Sequence, residues 1–196
     1  MRLFVMSVWM MLIGTAPAGA APLPPGHAYM REYRALKRQV KQQYRALQQA
    51  SRVRVLTPME RQGLDHLREA RSELFGATFY SLLAGTVATG AVALTGLGAA
   101  ALIKNPSWTT VGQAGSSAFM SFMMLGPVAA ARASRDLCRA LAVSHAKQAG
   151  LTPSERLLAP TRETLRIRAE ALCASTSAAM KTRARANDLV QLADSL

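Results

Sequence analysis

The sequence predicts an all-α protein with a long antiparallel helical hairpin, from about residue 58 to residue 149. N- and C-terminal amphipathic helices flank the hairpin and form a helical bundle with it. Composition is the first reason, because the chain is 50% hydrophobic but only 6% aromatic, and this Ala- and Leu-rich balance favours helices over sheets. The second reason is a set of helix-start signals: Thr57-Pro58, Asn105-Pro106 and Thr152-Pro153 each place a capping residue before a proline.

The N-terminus has the pattern of a cleavable secretory signal peptide over residues 1–20. One arginine precedes an apolar run over residues 3–13, and residues 18–20 supply the small side chains that signal peptidase requires. The run is shorter than the roughly 20 apolar residues of a membrane span, which favours cleavage over an uncleaved anchor. Residues 21–27 then form a Pro-rich leader. The sequence therefore predicts an exported protein of the periplasm or cell envelope.

Residues 28–53 predict a basic amphipathic helix, since Tyr33, Leu36 and Val40 recur at helical steps on one face. The chain carries a net charge of +13, and residues 22–56 hold eight of its 24 Lys and Arg residues against one acid. Such a face suits anionic lipid or an acidic partner. Predicted export and the lack of a base-reading motif argue against nucleic acid. The predicted basic face consists of Arg31, Arg34, Lys37, Arg38, Lys41 and Arg45.

Two further helices form the predicted hairpin. The first begins at Thr57, where Glu60 stands at the position that completes a capping box. The second begins at an Asn105 cap, bends at Gly126-Pro127 and stops at Gly150.

The C-terminal region opens with another capping box, from Thr152 to Glu155. Pro160 follows closely and is expected to interrupt the helix. Residues 153–159 are therefore predicted to form one short helix, and a single long amphipathic helix is predicted over residues 161–194. The predicted helical bundle thus comprises residues 28–73 and 132–196.

Between these bundle segments, residues 74–131 form an apolar hairpin whose one charge is Lys104 at the turn. Its first arm, residues 74–103, contains 30 uncharged residues, enough to cross a bilayer. Small residues at helical spacing let two helices approach closely inside lipid. The predicted packing stripe on this arm is Thr78, Ser81, Gly85, Thr89, Ala93, Gly96 and Ala100.

The sequence leaves two interpretations of this hairpin open: insertion into a membrane, and burial at the centre of a soluble bundle. Insertion conflicts with predicted export, because the flanking Lys and Arg residues would then lie outside, whereas the positive-inside rule places such charges in the cytoplasm. A hairpin that inserts after export escapes this conflict.

The two cysteines, Cys138 and Cys173, stand at equal distances from the middle of the 150–161 connection. Antiparallel helices on either side of that connection would therefore hold them at the same level. In an oxidising compartment this arrangement predicts a disulfide. The alternative is a pair of buried free thiols.

No recognisable catalytic motif is present: the sequence has no nucleophile elbow, phosphate-binding glycine loop, HExxH motif or paired-carboxylate site. We therefore predict no enzyme activity, no cofactor and no metal site. Pairing about the hairpin turn brings His66 close to His145, but two histidines without a third ligand favour a solvated surface pair.

The features together favour an exported, membrane-associated helical scaffold or interaction protein of the bacterial envelope. Membrane lipid is the expected partner, and self-association through the small-residue hairpin is a second expectation. The order of signal peptide, amphipathic helices and uncharged hairpin is similar to that of α-helical pore-forming toxins, although the similarity covers that order only and no motif carries it. The alternatives are a membrane-active protein, either pore-forming or pore-protecting, and a soluble periplasmic binding module.

Overall fold

A computed structural model describes residues 26–174 and 180–196, and within them every regular element is a helix. The predicted signal peptide, and all but the last two residues of the predicted leader, lie outside the described residues. The predicted all-α class is confirmed: the helices pack against one another as a bundle from which a long hairpin projects. They are α1 (His27–Val53), α2 (Pro58–Lys104), α3 (Trp108–Met123), α4 (Leu125–Gln148), α5 (Glu155–Ala174) and α6 (Met180–Asp194).

Local sequence sets the ends of the hairpin helices. At the start of α2 the predicted capping box is present: Glu60 N–H donates to Thr57 Oγ1 at 3.3 Å, and Thr57 N–H donates to the Glu60 carboxylate at 2.9 Å. After α4, Gly150 takes a φ of +86°, the left-handed conformation that glycine adopts with little strain. The capping box and the helix stop could both be predicted from the sequence, because each depends on residues close in sequence.

At the hairpin tip the predicted Asn105 cap is wrong, since Ser107 caps α3 instead. Thr110 N–H donates to the Ser107 hydroxyl at 3.3 Å, and Ser107 N–H donates to the Thr110 hydroxyl at 2.9 Å. This reciprocal pair satisfies two backbone donors at once, which a cap at Asn105 would not do.

The arm opposite α2 was predicted to be one helix with a bend at Gly126-Pro127, whereas the structure divides it into two helices at Met124. Pro127 has no N–H, so the carbonyl of Met123 has no partner one turn later. The Met124 N–H lies 3.2 Å from the carbonyl oxygens of both Met120 and Ser121, a tightened turn of the kind that marks a bend. This turn separates α3, in the outer part of the arm, from α4, whose C-terminal part lies in the bundle.

The core lies where α1, α5 and α6 pack against the N-terminal part of α2 and the C-terminal part of α4. Leu67 of α2, Val143 of α4 and Leu165 of α5 have no exposed surface. From α1, Tyr33 and Val40 turn inward with the apolar face that the sequence predicts. The bundle therefore has one continuous apolar core, while the distal part of the hairpin stands outside it.

The predicted break at Pro160 is wrong, because α5 continues through this residue. Proline removes one helical hydrogen bond at a cost of about 3 kcal/mol or more. One face of α5 nevertheless packs in the core on both sides of Pro160: Leu157 and Thr161 are each 2% exposed and Leu165 is fully buried. Tertiary packing thus outweighs the local preference of proline.

A single helix over residues 161–194 is also wrong, because α6 folds back against α5. Arg166 pairs with Asp194 at 3.0 Å, and Arg162 donates to the carbonyl of Leu196 at 2.7 Å. Residues 175–179 lie outside the described residues.

Candidate functional site

The apolar hairpin, residues 74–131, carries large side chains that no other helix of the described chain covers. Phe75 is 76% exposed, Val92 73% and Leu97 69% on α2, and Phe119 on α3 is 61% exposed. In the most apolar stretch of α2 only 6% of the residues are buried, against 17% in the stretch that spans α3 and α4. Both arms are long and apolar enough to cross a membrane, and neither resembles the covered core helix of a soluble protein.

The two arms meet along a seam of small residues on α2. Ala70, Ala77 and Ala84 are at most 6% exposed, and Gly98 is buried farther out. A Cβ atom at Gly98 would lie 3.0 Å from Ser117 Cβ, so glycine permits a close approach of the arms at this point. Small residues at this spacing set a short interhelical distance. The seam repeats every seven residues: Ala70, Ala77, Ala84, Ala91 and Gly98.

A hydroxyl pair links the arms inside this seam. Thr95 Oγ1 of α2 donates to Ser121 Oγ of α3 at 2.8 Å, and Ser121 Oγ donates to the carbonyl oxygen of Ala91 at 2.8 Å. Ser121 is only 6% exposed. Interhelical hydrogen bonds of this kind help to hold helices together where the surroundings are apolar.

The predicted packing stripe is wrong, because its members lie on the exposed side of α2 and not in the seam. All seven members are exposed, and a Cβ atom at Gly85 or Gly96 would meet nothing within 4 Å. The observed seam passes through Ala77 and Ala84, next to the predicted Thr78 and Gly85. Both registers are rich in small residues, so composition alone does not separate them. The exposed members are Thr78, Ser81, Gly85, Thr89, Ala93, Gly96 and Ala100.

The six basic residues proposed for α1 are all exposed, on the side of the helix away from the core. Lys37 Nζ donates to Thr78 Oγ1 at 3.4 Å, at the start of the uncharged arm. The guanidinium of Arg139, on α4, lies 5.5 Å from the ring centre of Tyr33. α1 thus lies beside the junction between bundle and apolar hairpin, where α4 also carries Arg132 and Arg135.

The predicted disulfide is wrong, since Cys138 and Cys173 are both free thiols. Cys138 Sγ faces α2, 3.2 Å from the position of a Cβ atom on Gly76, whereas Cys173 is exposed on α5. Equal distance from a connection determines how far along its helix each cysteine lies, but not the direction in which its side chain points. Burial, and then a hydrogen bond to Glu73, raise the pKa of the Cys138 thiol to about 12.

Below the hairpin, His66 of α2 and His145 of α4 stack with ring centres 6.0 Å apart, which confirms their predicted proximity. The interpretation as a solvated surface pair is wrong, because their side chains are only 24% and 22% exposed. Glu69 joins them, with Oε2 3.1 Å from His145 Nδ1 and 3.7 Å from His66 Nδ1. Glu69 was not among the residues predicted from the sequence, although its spacing of three residues from His66 places both on one helical face.

Comparison of the chain with known protein families, curated proteins and solved structures gives no match. The function proposed for it therefore rests on the exposed hairpin and the charged junction below it.

Proposed function

We propose that the protein is a membrane-anchored helical scaffold, whose apolar hairpin lies in lipid while the bundle stays at the membrane surface. The observation that carries the proposal is the uncovered apolar surface of the hairpin. Monomeric soluble proteins rarely expose large contiguous apolar patches, and such patches mark membrane or protein contacts. The side chains concerned occur on both arms, from Phe75 on α2 to Phe122 on α3, and Phe122 is 55% exposed.

The length of the hairpin supports this placement. The 30 uncharged residues of its first arm make a helix about 45 Å long. The hydrocarbon core of a bilayer is about 30 Å thick, or about 40–45 Å with the headgroup regions. Lys104 and Trp108 stand at the tip, where Trp108 is 90% exposed. Both residue types are enriched at membrane–water interfaces.

The near end of the hairpin has its own interfacial residues. Lys37 reaches the first turn of the uncharged arm, and Arg132 and Arg135 follow the end of the other arm. A basic cluster beside a membrane surface is worth about 1 kcal/mol per Lys or Arg when the lipid is anionic. The exposed basic face of α1 is therefore proposed to bind anionic headgroups, or an acidic partner held at the membrane.

The polar groups of the first arm also suit lipid. The hydroxyls of Thr78, Thr86 and Thr89 each donate to a carbonyl oxygen one turn earlier in α2, at 2.9 Å. Inside a bilayer no water can bind these groups, so a local partner is required. Their bonding to the helix itself makes exposed threonines compatible with an apolar solvent.

Carbonate extraction of membranes from cells that express the full chain tests the proposal. A matched pair of variants is available: Val92→Arg near the middle of the uncharged arm, and Val53→Arg at the end of α1. Both valines are exposed, 73% and 88%. Arginine near a membrane helix centre costs about 2.5–3.5 kcal/mol, equivalent to a loss of roughly 70- to 400-fold in the insertion equilibrium.

We expect the wild type and Val53→Arg to remain in the carbonate-washed membranes, and Val92→Arg to shift into the supernatant. If the wild type is wholly in the supernatant, the membrane proposal fails and the soluble binding module takes its place. Release of a trapped dye from liposomes by the wild type would favour the pore-forming alternative over the scaffold. Self-association through the small-residue hairpin stays a prediction, which crosslinking in membranes can address.

A further inference from the structure

His66, Glu69 and His145 converge where the two long helices meet below the hairpin. His66 and Glu69 lie one turn apart on α2, and His145 projects toward them from α4. All three can direct one ligand atom to a common region, since those atoms lie within 4.8 Å of one another. The group combines two imidazoles and one carboxylate, which are ordinary protein ligands of Zn²⁺ and related ions.

The two imidazole Nδ1 atoms of this cluster are buried, and neither has a hydrogen-bond partner. Although Glu69 Oε2 is only 3.1 Å from His145 Nδ1, the contact does not have the direction of a hydrogen bond. A buried polar atom without a partner is unfavourable, because it has lost its hydrogen bonds to water. A cation shared by the three side chains would engage both nitrogen atoms and the carboxylate together.

Two of the three spacings between ligand atoms are close to those around such an ion. With metal–ligand distances of about 2.0–2.1 Å, two ligands in a tetrahedral site lie about 3.3–3.4 Å apart. The distances from Glu69 Oε2 to the two nitrogens, 3.1 and 3.7 Å, bracket this value. Glu69 is 57% exposed and the histidines about one quarter, so the carboxylate side of the cluster is open to solvent.

We propose that His66, Glu69 and His145 form a binding site for a divalent transition-metal ion of the Zn²⁺ type. Two histidines and one glutamate leave a fourth position for water, as in zinc sites with three protein ligands. The ion would join α2 to α4 just below the apolar hairpin. The site therefore links the bases of the two arms, and it does not depend on whether the hairpin enters lipid.

The test is a titration of the detergent-solubilised full chain with Zn²⁺ against a chromophoric chelator, after removal of bound metal. The test variants are Glu69→Gln and His145→Gln, and the control is His27→Gln, because His27 is exposed on α1. We expect one saturable site in the wild type and in the control. Loss of a direct ligand should weaken binding by at least the roughly 10- to 100-fold that is lost when an outer partner of a ligand is removed.

Co²⁺ provides a second, spectroscopic measurement, since a tetrahedral site with nitrogen and oxygen ligands gives a visible absorption band that the wild type and His27→Gln should show. Glu69→Gln is the decisive variant, because Glu69 is exposed and its replacement should leave the fold intact. The proposal is overturned if the wild type binds no Zn²⁺ saturably. It is equally overturned if folded Glu69→Gln and His145→Gln bind Zn²⁺ as tightly as the wild type, which would leave an ion pair between Glu69 and His145.

Discussion

Gly98 should be the most size-sensitive position of the hairpin seam. In a Gly98→Ala variant the new Cβ atom would lie 3.0 Å from Ser117 Cβ and 3.1 Å from Ala114 Cα. Ordinary contacts between carbon atoms are about 3.5–4.0 Å, so the arms must separate by roughly 0.5–1 Å. Neither neighbouring atom is the end of a flexible side chain that could move aside. Gly96 is the matched control, since a Cβ atom there meets nothing within 4 Å.

The two glycines stand in one helix, so the same substitution gives both the same gain in helix propensity, about 0.5–1 kcal/mol. Only Gly98→Ala also overpacks the seam, at a cost of about 1–3 kcal/mol. Gly96→Ala should therefore stabilise the hairpin slightly, and the difference between the variants should equal the overpacking cost. That difference corresponds to about a 5- to 160-fold change in the equilibrium for local opening.

Hydrogen exchange followed by mass spectrometry, in detergent micelles, measures this opening directly. Peptides from α3 (Trp108–Met123) should exchange faster in Gly98→Ala than in Gly96→Ala, while peptides from the bundle core should not change. Equal exchange in the two variants would show that α2 and α3 are not held together at Gly98, and the seam would have to lie elsewhere.

Three further predictions concern the bundle. At neutral pH, iodoacetamide should modify Cys173 and leave Cys138 largely unmodified, because burial and Glu73 raise the pKa of Cys138 to about 12; equal modification, read by mass spectrometry, would contradict the burial. Gly150→Ala should destabilise the chain by about 1–2 kcal/mol in urea unfolding, since its φ is +86°, and unchanged stability would refute the strain. Hydrogen bonds from Arg54 and from the start of α2 lower the pKa of Glu60 to about 2 from 4.5. The stability advantage of the wild type over Glu60→Gln should therefore be complete above pH 4.5 and shrink as the pH falls toward 2; an advantage that grows in acid would contradict it.

Features of the fold that depend on residues close in sequence were predictable from the sequence. The capping box at Thr57, the stop at Gly150 and the inward face of α1 all follow from residues within one or two turns. The long hairpin was equally predictable, because an uncharged stretch of 30 residues can adopt few stable structures.

The errors arose where tertiary contacts decide between local alternatives. Pro160 is tolerated within α5 because Leu157 and Leu165 are buried on the same helix, which no local pattern reveals. Cys138 and Cys173 were placed at one level by counting residues, but counting does not determine which way each side chain faces. For the candidate metal cluster, the histidine pair was predictable from the hairpin register, whereas Glu69 completes it only once the contact between α2 and α4 is known.

The side chains along α2 change character where the bundle ends, and this change argues for lipid around the hairpin. In the bundle the inner face carries Leu67 and Leu74, which are at most 6% exposed and bury enough apolar area to hold helices together in water. Farther out the buried positions are Ala77, Ala84 and Gly98, which bury little, while large residues such as Leu97 face outward. In water that arrangement would be unfavourable for two reasons: the small residues between the arms bury little apolar area, and the outer face exposes large apolar side chains. In lipid, large outward residues are already solvated, and close contact between small residues is what holds two helices together.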